Sequence, residues 1–160
     1  ADQDLNSAMQ NSVNWYFQAI DSQLGINRVQ EFLNKIEYGN QTTSSNLDLY
    51  WSDFSLKISP LEQVTLLKKF NTNEFHLNFQ NVFSVKNAIK IASTPNGNFY
   101  GKTGTGRVNG QDINGWFIGY VETSDNSYYF ATNIQSDSNA TGKKAFEITS
   151  DILKKLHIWN

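Results

Sequence analysis

No cysteine occurs among the 160 residues, which excludes disulfides, thiol nucleophiles and thiolate metal ligands. Histidine is almost as scarce. His76 and His157 lie far apart and neither stands in a metal-binding spacing, so neither a metal centre nor a histidine-based triad is expected. No apolar run approaches the roughly 20 residues that cross a bilayer, and no segment has the layout of a signal peptide. A membrane tether outside these residues stays open. Positive charge is not in excess either: the net charge is -2, which gives no reason to expect nucleic acid or an anionic membrane surface as partner.

What is present suits one packed domain, with 39% hydrophobic and 18% charged residues, inside the globular range. The first half carries apolar residues at spacings of three and four. Leu5, Met9, Val13, Tyr16 and Ile20 predict one amphipathic helix. Ile26, Val29, Phe32, Leu33 and Ile36 predict a second, stopped by Gly39. Ser59-Pro60-Leu61-Glu62 is a helix start, in which Ser59 caps, Pro60 fits the first position and Glu62 closes a capping box. Leu61, Val64, Leu67 and Phe70 share a face of that helix, and a further helix is predicted over about 79–92.

The second half changes period. The runs "GNFYGKTGT", "NGWFIGYVE" and "SYYFATNIQ" are aromatic and β-branched, separated by Asn-Gly and Asp-Asn turns. They predict a three-stranded antiparallel meander. Trp116, Ile118 and Tyr120 fall on one face of the middle strand and Phe117 and Val121 on the other, so both faces need cover. A last helix over about 141–156 is predicted to bury Ala145, Ile148, Ile152 and Leu156. The fold class is therefore α+β: a helical segment, a meander and a C-terminal helix. So thin a sheet with two apolar faces points to strands outside these residues.

Lys102-Thr103-Gly104-Thr105 is out of character for a strand interior, because glycine weakens a strand and a charge has no obvious use there. One reading is a lysine at a strand end before a loop. The other is a strand edge that presents Lys102 and the hydroxyls of Thr103 and Thr105 to a carboxylate, while Gly104 lets a ligand lie against the backbone. A backbone N–H on that edge would then serve an oxyanion.

Lys-Thr-Gly is one element of the serine penicillin-recognising proteins, beside an S-x-x-K and an S-x-N or S-x-V. Here Ser12-Val13-Asn14, Tyr38-Gly39-Asn40, the run "WSDFSLKISPLEQVTLLKKF" and then "KTGTG" and "NGWFIGYVE" follow in order. In order and spacing they resemble class D β-lactamases, and in particular the extracellular penicillin-sensor domains of BlaR/MecR-type receptors of Gram-positive bacteria. The resemblance implies a serine β-lactamase or penicillin-binding transpeptidase-like fold. In it, residues 1–160 form the C-terminal part of one sensor domain, and the N-terminal strands of a five-stranded sheet lie outside them. It implies that Ser12 relays protons between the nucleophile, the base and the β-lactam nitrogen, and that Lys102 tunes this relay. Thr103 and Thr105 would bind the drug's carboxylate, and the Thr105 N–H would form half of the oxyanion hole. Trp51 matches a tryptophan that supports a carboxylated catalytic lysine, itself expected upstream. Tyr38, Gly39 and Asn40 match a signature that reads as a structural turn. No metal or organic cofactor is implied. The implied partners are β-lactam antibiotics, the N-terminal remainder of the domain, and the membrane helices and cytoplasmic zinc protease domain of a full receptor. The implied place is the extracellular face of the cell membrane, or, for a secreted enzyme, the medium.

Two departures qualify this. No S-x-x-K occurs in these residues, and "TLLK" at 65–68 has threonine instead, so the acylated serine and its lysine are expected upstream. Ala145 stands about where many class D enzymes place a carboxylate-binding arginine, which shifts recognition onto Thr103, Thr105 and Lys102. Geometry adds a condition. Residues i and i+2 point to nearly opposite sides of a helix, so Ser12 and Asn14 serve one cleft only if the backbone breaks near residues 10–14. Asn14 also separates two functions. Class D hydrolases typically have valine there, favouring the carboxylated lysine, whereas the receptor sensors have asparagine, whose amide can hydrogen-bond the lysine amine or its carbamate and shift their balance. The expected function is thus covalent sensing that ends in a long-lived acyl-protein, with a hydrolysing class D enzyme as the alternative.

Overall fold

The computed structural model describes residues 2–43, 47 and 50–159; the two end residues of the expected 1–160 domain lie outside them. The chain divides after Ile89 into two compact units.

The first unit is helical. Helix α1 (Leu5–Gln10) opens on a reciprocal cap, with Asp4 accepting from the Ser7 N–H at 2.7 Å and Ser7 Oγ from the Asp4 N–H at 3.0 Å. It ends after one and a half turns, and α2 (Asn14–Leu24) starts anew. The single helix expected over residues 5–20 is therefore two. The Val13 N–H reaches back to Ala8 O at 2.9 Å and the Ser12 N–H to Met9 O at 3.3 Å, while Ser12 takes a left-handed φ of 51°. That pairing is the hydrogen-bond pattern of a Schellman stop. Gly25, with φ of 78°, separates α2 from α3 (Ile26–Lys35). On α3, Val29 and Leu33 are buried with Tyr50, against which Tyr38, Trp51 and Leu56 pack. Helix α4 (Pro60–Asn71) opens on the capping box read from the sequence. Its Leu67 is buried, but Leu61 is exposed and Gln63 is buried, its Oε1 accepting from the Tyr38 hydroxyl at 3.4 Å. Helix α5 (Phe79–Ala88) is capped by the Asn78 side chain.

The second unit holds an antiparallel sheet of four strands in the order β1 (Lys90–Thr94), β2 (Gly97–Val108), β3 (Gln111–Thr123) and β4 (Ser127–Gln135). The expected count of three is corrected because residues 90–94 form a strand, not the end of a helix. Pro95 cannot continue a helix, and Pro95-Asn96 make a two-residue turn that sets Thr94 opposite Gly97. Asn109 and Gly110, both at positive φ (50° and 79°), turn β2 into β3.

Helix α6 (Gly142–Lys155) covers one face, where Ala145 and Leu153 pack with Phe99, Phe117 and Val121. The expected stripe is turned. Gly142, Ala145, Thr149 and Leu153 are buried, whereas Ile148, Ile152 and Leu156 are 38%, 48% and 61% exposed. Apolarity alone selects the wrong set, because small residues bring α6 close to the sheet and Thr149 is satisfied where it lies. Its hydroxyl lies 2.7 Å from Thr132 Oγ1 and donates to Ala145 O at 2.8 Å, so its burial costs little. On the other face Tyr100 stacks on the fully buried Tyr120, with ring centroids 4.7 Å apart.

Candidate functional site

Strand β1 is paired with β2 only as far as Tyr100, opposite Lys90. From Gly101 to Val108 the outer edge of β2 has no strand beside it among the described residues, while the inner edge stays paired with β3. An open edge offers a row of backbone donors and acceptors to an extended amide-containing ligand. Lys102, Thr103, Gly104 and Thr105 lie on that stretch.

The glycines in this strand have different causes. A Cβ on Gly101 would lie 2.6 Å from the Phe117 ring, so packing demands glycine there. A Cβ on Gly104 would meet only Trp116 Cβ, at an ordinary 3.7 Å. The fold therefore leaves Gly104 unexplained, and an unobstructed backbone on an open edge is the remaining use for it.

Side-chain alternation splits the motif. Lys102, opposite Ile118, falls on the Tyr100 and Tyr120 face. Partial burial lowers the pKa of its ammonium, and Nζ donates to Thr103 O at 2.8 Å. A lysine shifted this way yields a proton more readily than an exposed one does. Thr103 and Thr105 fall on the α6 face. There the Gly142 N–H donates to Thr105 Oγ1 at 2.9 Å, and a Cβ on Gly142 would lie 2.9 Å from Thr103 Cβ. The structure thus gathers Thr103, Gly104, Thr105 and Gly142, with Lys102 across the strand. Gly142 escaped the sequence reading; its one signal was a glycine at the first position of a helix, where φ is ordinary and glycine has no conformational advantage. Ala145 is fully buried and offers the strand no polar group.

In the first unit, Ser12 lies in the break between α1 and α2 and Asn14 is the first residue of α2; both are exposed. Tyr38-Gly39-Asn40 is a turn locked to residues 55–57. Gly39 has φ of 48°, and a Cβ there would run into the Lys57 carbonyl. The Asn40 N–H donates to Lys57 O at 2.9 Å, its Nδ2 to Ser55 O at 2.8 Å, and its Oδ1 accepts from the Lys57 N–H at 2.9 Å. Burial raises the Tyr38 pKa, keeping its phenol protonated. Trp51 packs on the Val29 and Leu33 cluster.

A sheet covered by its C-terminal helix, with Lys-Thr-Gly-Thr on an open edge and a serine released from a helix, defines the class of serine penicillin-recognising proteins. The chain belongs to the penicillin binding protein transpeptidase domain family, whose sequence pattern matches residues 1–154. It is 45% identical over 157 residues to the methicillin resistance mecR1 protein of Staphylococcus aureus strain Mu50, covering 98% of this chain and 27% of that protein. Among solved structures, it superposes on the C-terminal domain of the Bacillus licheniformis BlaR penicillin-receptor with a TM-score of 0.94 and 47% identity, covering 99% of this chain and 64% of that one. A class D β-lactamase from Bacillus subtilis gives a TM-score of 0.89 and 37% identity, over 97% of this chain and 63% of the enzyme. The chain therefore spans about a quarter of the curated relative and under two thirds of the solved domains.

Proposed function

We propose that this chain is part of a β-lactam-sensing domain in which a serine outside these residues is acylated and stays acylated, signalling the induction of resistance. The drug lies along the open edge of β2, with its carboxylate on Thr103 and Thr105 and the Thr105 N–H as half of the oxyanion hole. The serine hydroxyl loses its proton to a carboxylated lysine as its oxygen bonds to the lactam carbonyl carbon. When the carbon–nitrogen bond opens, the ring nitrogen takes a proton through Ser12, with Lys102 tuning that transfer. Trp51 supports the carboxylated lysine, which like the nucleophile comes from residues beyond these. Among the described residues no strand pairs with the outer edge of β4, which supports a sheet extended by such residues. In the full receptor the domain sits on the extracellular face of a Gram-positive membrane, joined to membrane helices and a cytoplasmic zinc protease domain.

The observation that carries this reading is the break at residues 11–13. A relay through Ser12 requires it, and an ordinary helix-surface serine does not. Asn14 and the likeness to mecR1 and to the BlaR penicillin-receptor favour the sensor over the hydrolase. An asparagine beside the lysine favours loss of its carboxyl group after acylation, which leaves no base to activate the deacylating water. The test is a chromogenic β-lactam mixed with the complete domain. A burst of one equivalent followed by almost no turnover is expected; sustained hydrolysis identifies a class D enzyme, and absence of any burst rejects both.

A further inference from the structure

We propose that Trp15 is a specificity residue of this site, its exposed indole receiving the aromatic acylamino arm of a β-lactam. The proposal rests on the β-lactam reading above.

Trp15 is 55% exposed. Exposure alone marks nothing, because Leu61 and Phe79 are more exposed still. Place and company set Trp15 apart. It follows Ser12 by three residues and stands in the first turn of α2, directly after the break. Consecutive Cα atoms are about 3.8 Å apart, so Ser12 and Trp15 are separated by at most about 11 Å. The chain has already turned within that span, since the Tyr16 N–H donates to Val13 O at 3.1 Å. A ligand whose ring nitrogen takes its proton through Ser12 therefore lies within reach of the indole. The acylamino arm leaves the four-membered ring from the carbon across from that nitrogen, away from the carboxylate end held by β2.

The fold gives this indole no other use. No residue of α2 is buried, and Trp15 meets one ring, that of Tyr16, edge-on at 6.3 Å. Trp51 and Trp159 pack on core clusters, and Trp116 is half-buried. A protein surface docking on this side of α2 needs an apolar stripe at spacings of three and four. The residues at those spacings from Trp15 are Gln18, Ala19 and Ser22, and Ala19 and Ser22 are exposed. A lone indole on a small and polar face suits one ring of a small ligand. It supplies a face for stacking and one N–H donor for the amide carbonyl of the arm.

The test measures acylation of the complete domain by benzylpenicillin and by the analogue whose arm is acetyl in place of phenylacetyl, so that the two differ only in the aromatic ring. Wild type should prefer benzylpenicillin by roughly fivefold to tenfold, the worth of one aromatic contact. Trp15→Ala should lose that preference by slowing benzylpenicillin alone, with the acetyl analogue within about twofold of wild type. Trp15→Phe should keep most of the preference, and the denaturation midpoint of both variants should stay at the wild-type value, because the indole supports no core. Equal slowing of both penicillins in Trp15→Ala would overturn the proposal, since it would mean that the indole holds Ser12 and not the arm. A preference retained in Trp15→Ala would overturn it as well. Should Trp15→Ala fail to fold, fluorotryptophan NMR of the wild type decides, with the Trp15 resonance assigned by Trp15→Phe. That resonance should move on acylation by benzylpenicillin more than by the acetyl analogue, and equal or absent movement counts against the proposal. Wild type acylated equally fast by both penicillins removes this proposal and leaves the β-lactam reading standing; acylation by neither rejects that reading itself.

Discussion

A methyl group on Gly101 would press into the Phe117 ring at 2.6 Å, whereas one on Gly104 meets only Trp116 Cβ at 3.7 Å. Gly101→Ala should therefore destabilise the fold by roughly 1–3 kcal/mol, as overpacking does. Gly104→Ala should leave stability within about 0.5 kcal/mol, yet cut acylation of the complete domain at least roughly tenfold by obstructing the strand edge. Thermal melts and acylation rates on both variants check this. Lys102 makes a second residue-scale case. Burial holds its pKa below the ordinary 10.5, so the folded state binds protons less tightly than the unfolded chain. The stability cost is full below the folded pKa and is relieved as pH rises towards 10.5. Lys102→Met should accordingly raise the unfolding midpoint at pH 7, by an amount that shrinks towards pH 10.5, while lowering acylation roughly 100-fold or more. A residue whose removal stabilises the fold and ends the chemistry is kept for function. At this scale the motif was legible because a lysine between glycines contradicts strand propensity. The contact between Gly142 and Thr105 was not, since it joins α6 to β2 across 37 residues of sequence.

The α1–α2 break shows how far a local rule reaches at the scale of elements. Ser12 occupies the left-handed stop position where glycine is usual, but so do Glu37, Asn73 and His157, with φ of 54°, 54° and 56°. A non-glycine stop is common in this chain and does not by itself mark a site. What sets Ser12 apart is that a new helix starts two residues later. Ser12→Gly should stabilise the protein by about 1 kcal/mol through relief of the left-handed conformation, and should abolish acylation; Ser12→Ala should lose acylation without that gain. Denaturant melts beside acylation rates separate the two. Elements with explicit end signals were readable, as with the Ser59–Glu62 capping box, in which each side chain bonds the other residue's N–H. The helix predicted to 92 was misread because the apolar residues from Ile89 to Ala92 suit a helix end or a buried strand equally. The Pro95-Asn96-Gly97 turn that decides it lies beyond them. The α6 stripe was misread because a buried Thr149 is paid for by hydrogen bonds that no hydropathy pattern reveals.

For the molecule as a whole, family membership was legible from motif order, because Ser12, Tyr38, Trp51 and Lys102 keep their sequence even though they belong to different compact units. Function is decided less by the fold, which matches a penicillin receptor and a class D β-lactamase almost equally well at TM-scores of 0.94 and 0.89. On the proposed reading, the difference between sensing and hydrolysis rests on one exposed amide, Asn14. The direct measurement is the lifetime of the adduct, followed by intact-protein mass spectrometry of the complete domain after excess β-lactam is removed. The account predicts one equivalent of drug retained for hours on wild type, and a loss at least roughly tenfold faster in Asn14→Val, as expected when a general base is restored. Rapid loss of the adduct from wild type, with free drug hydrolysed in parallel, would contradict it.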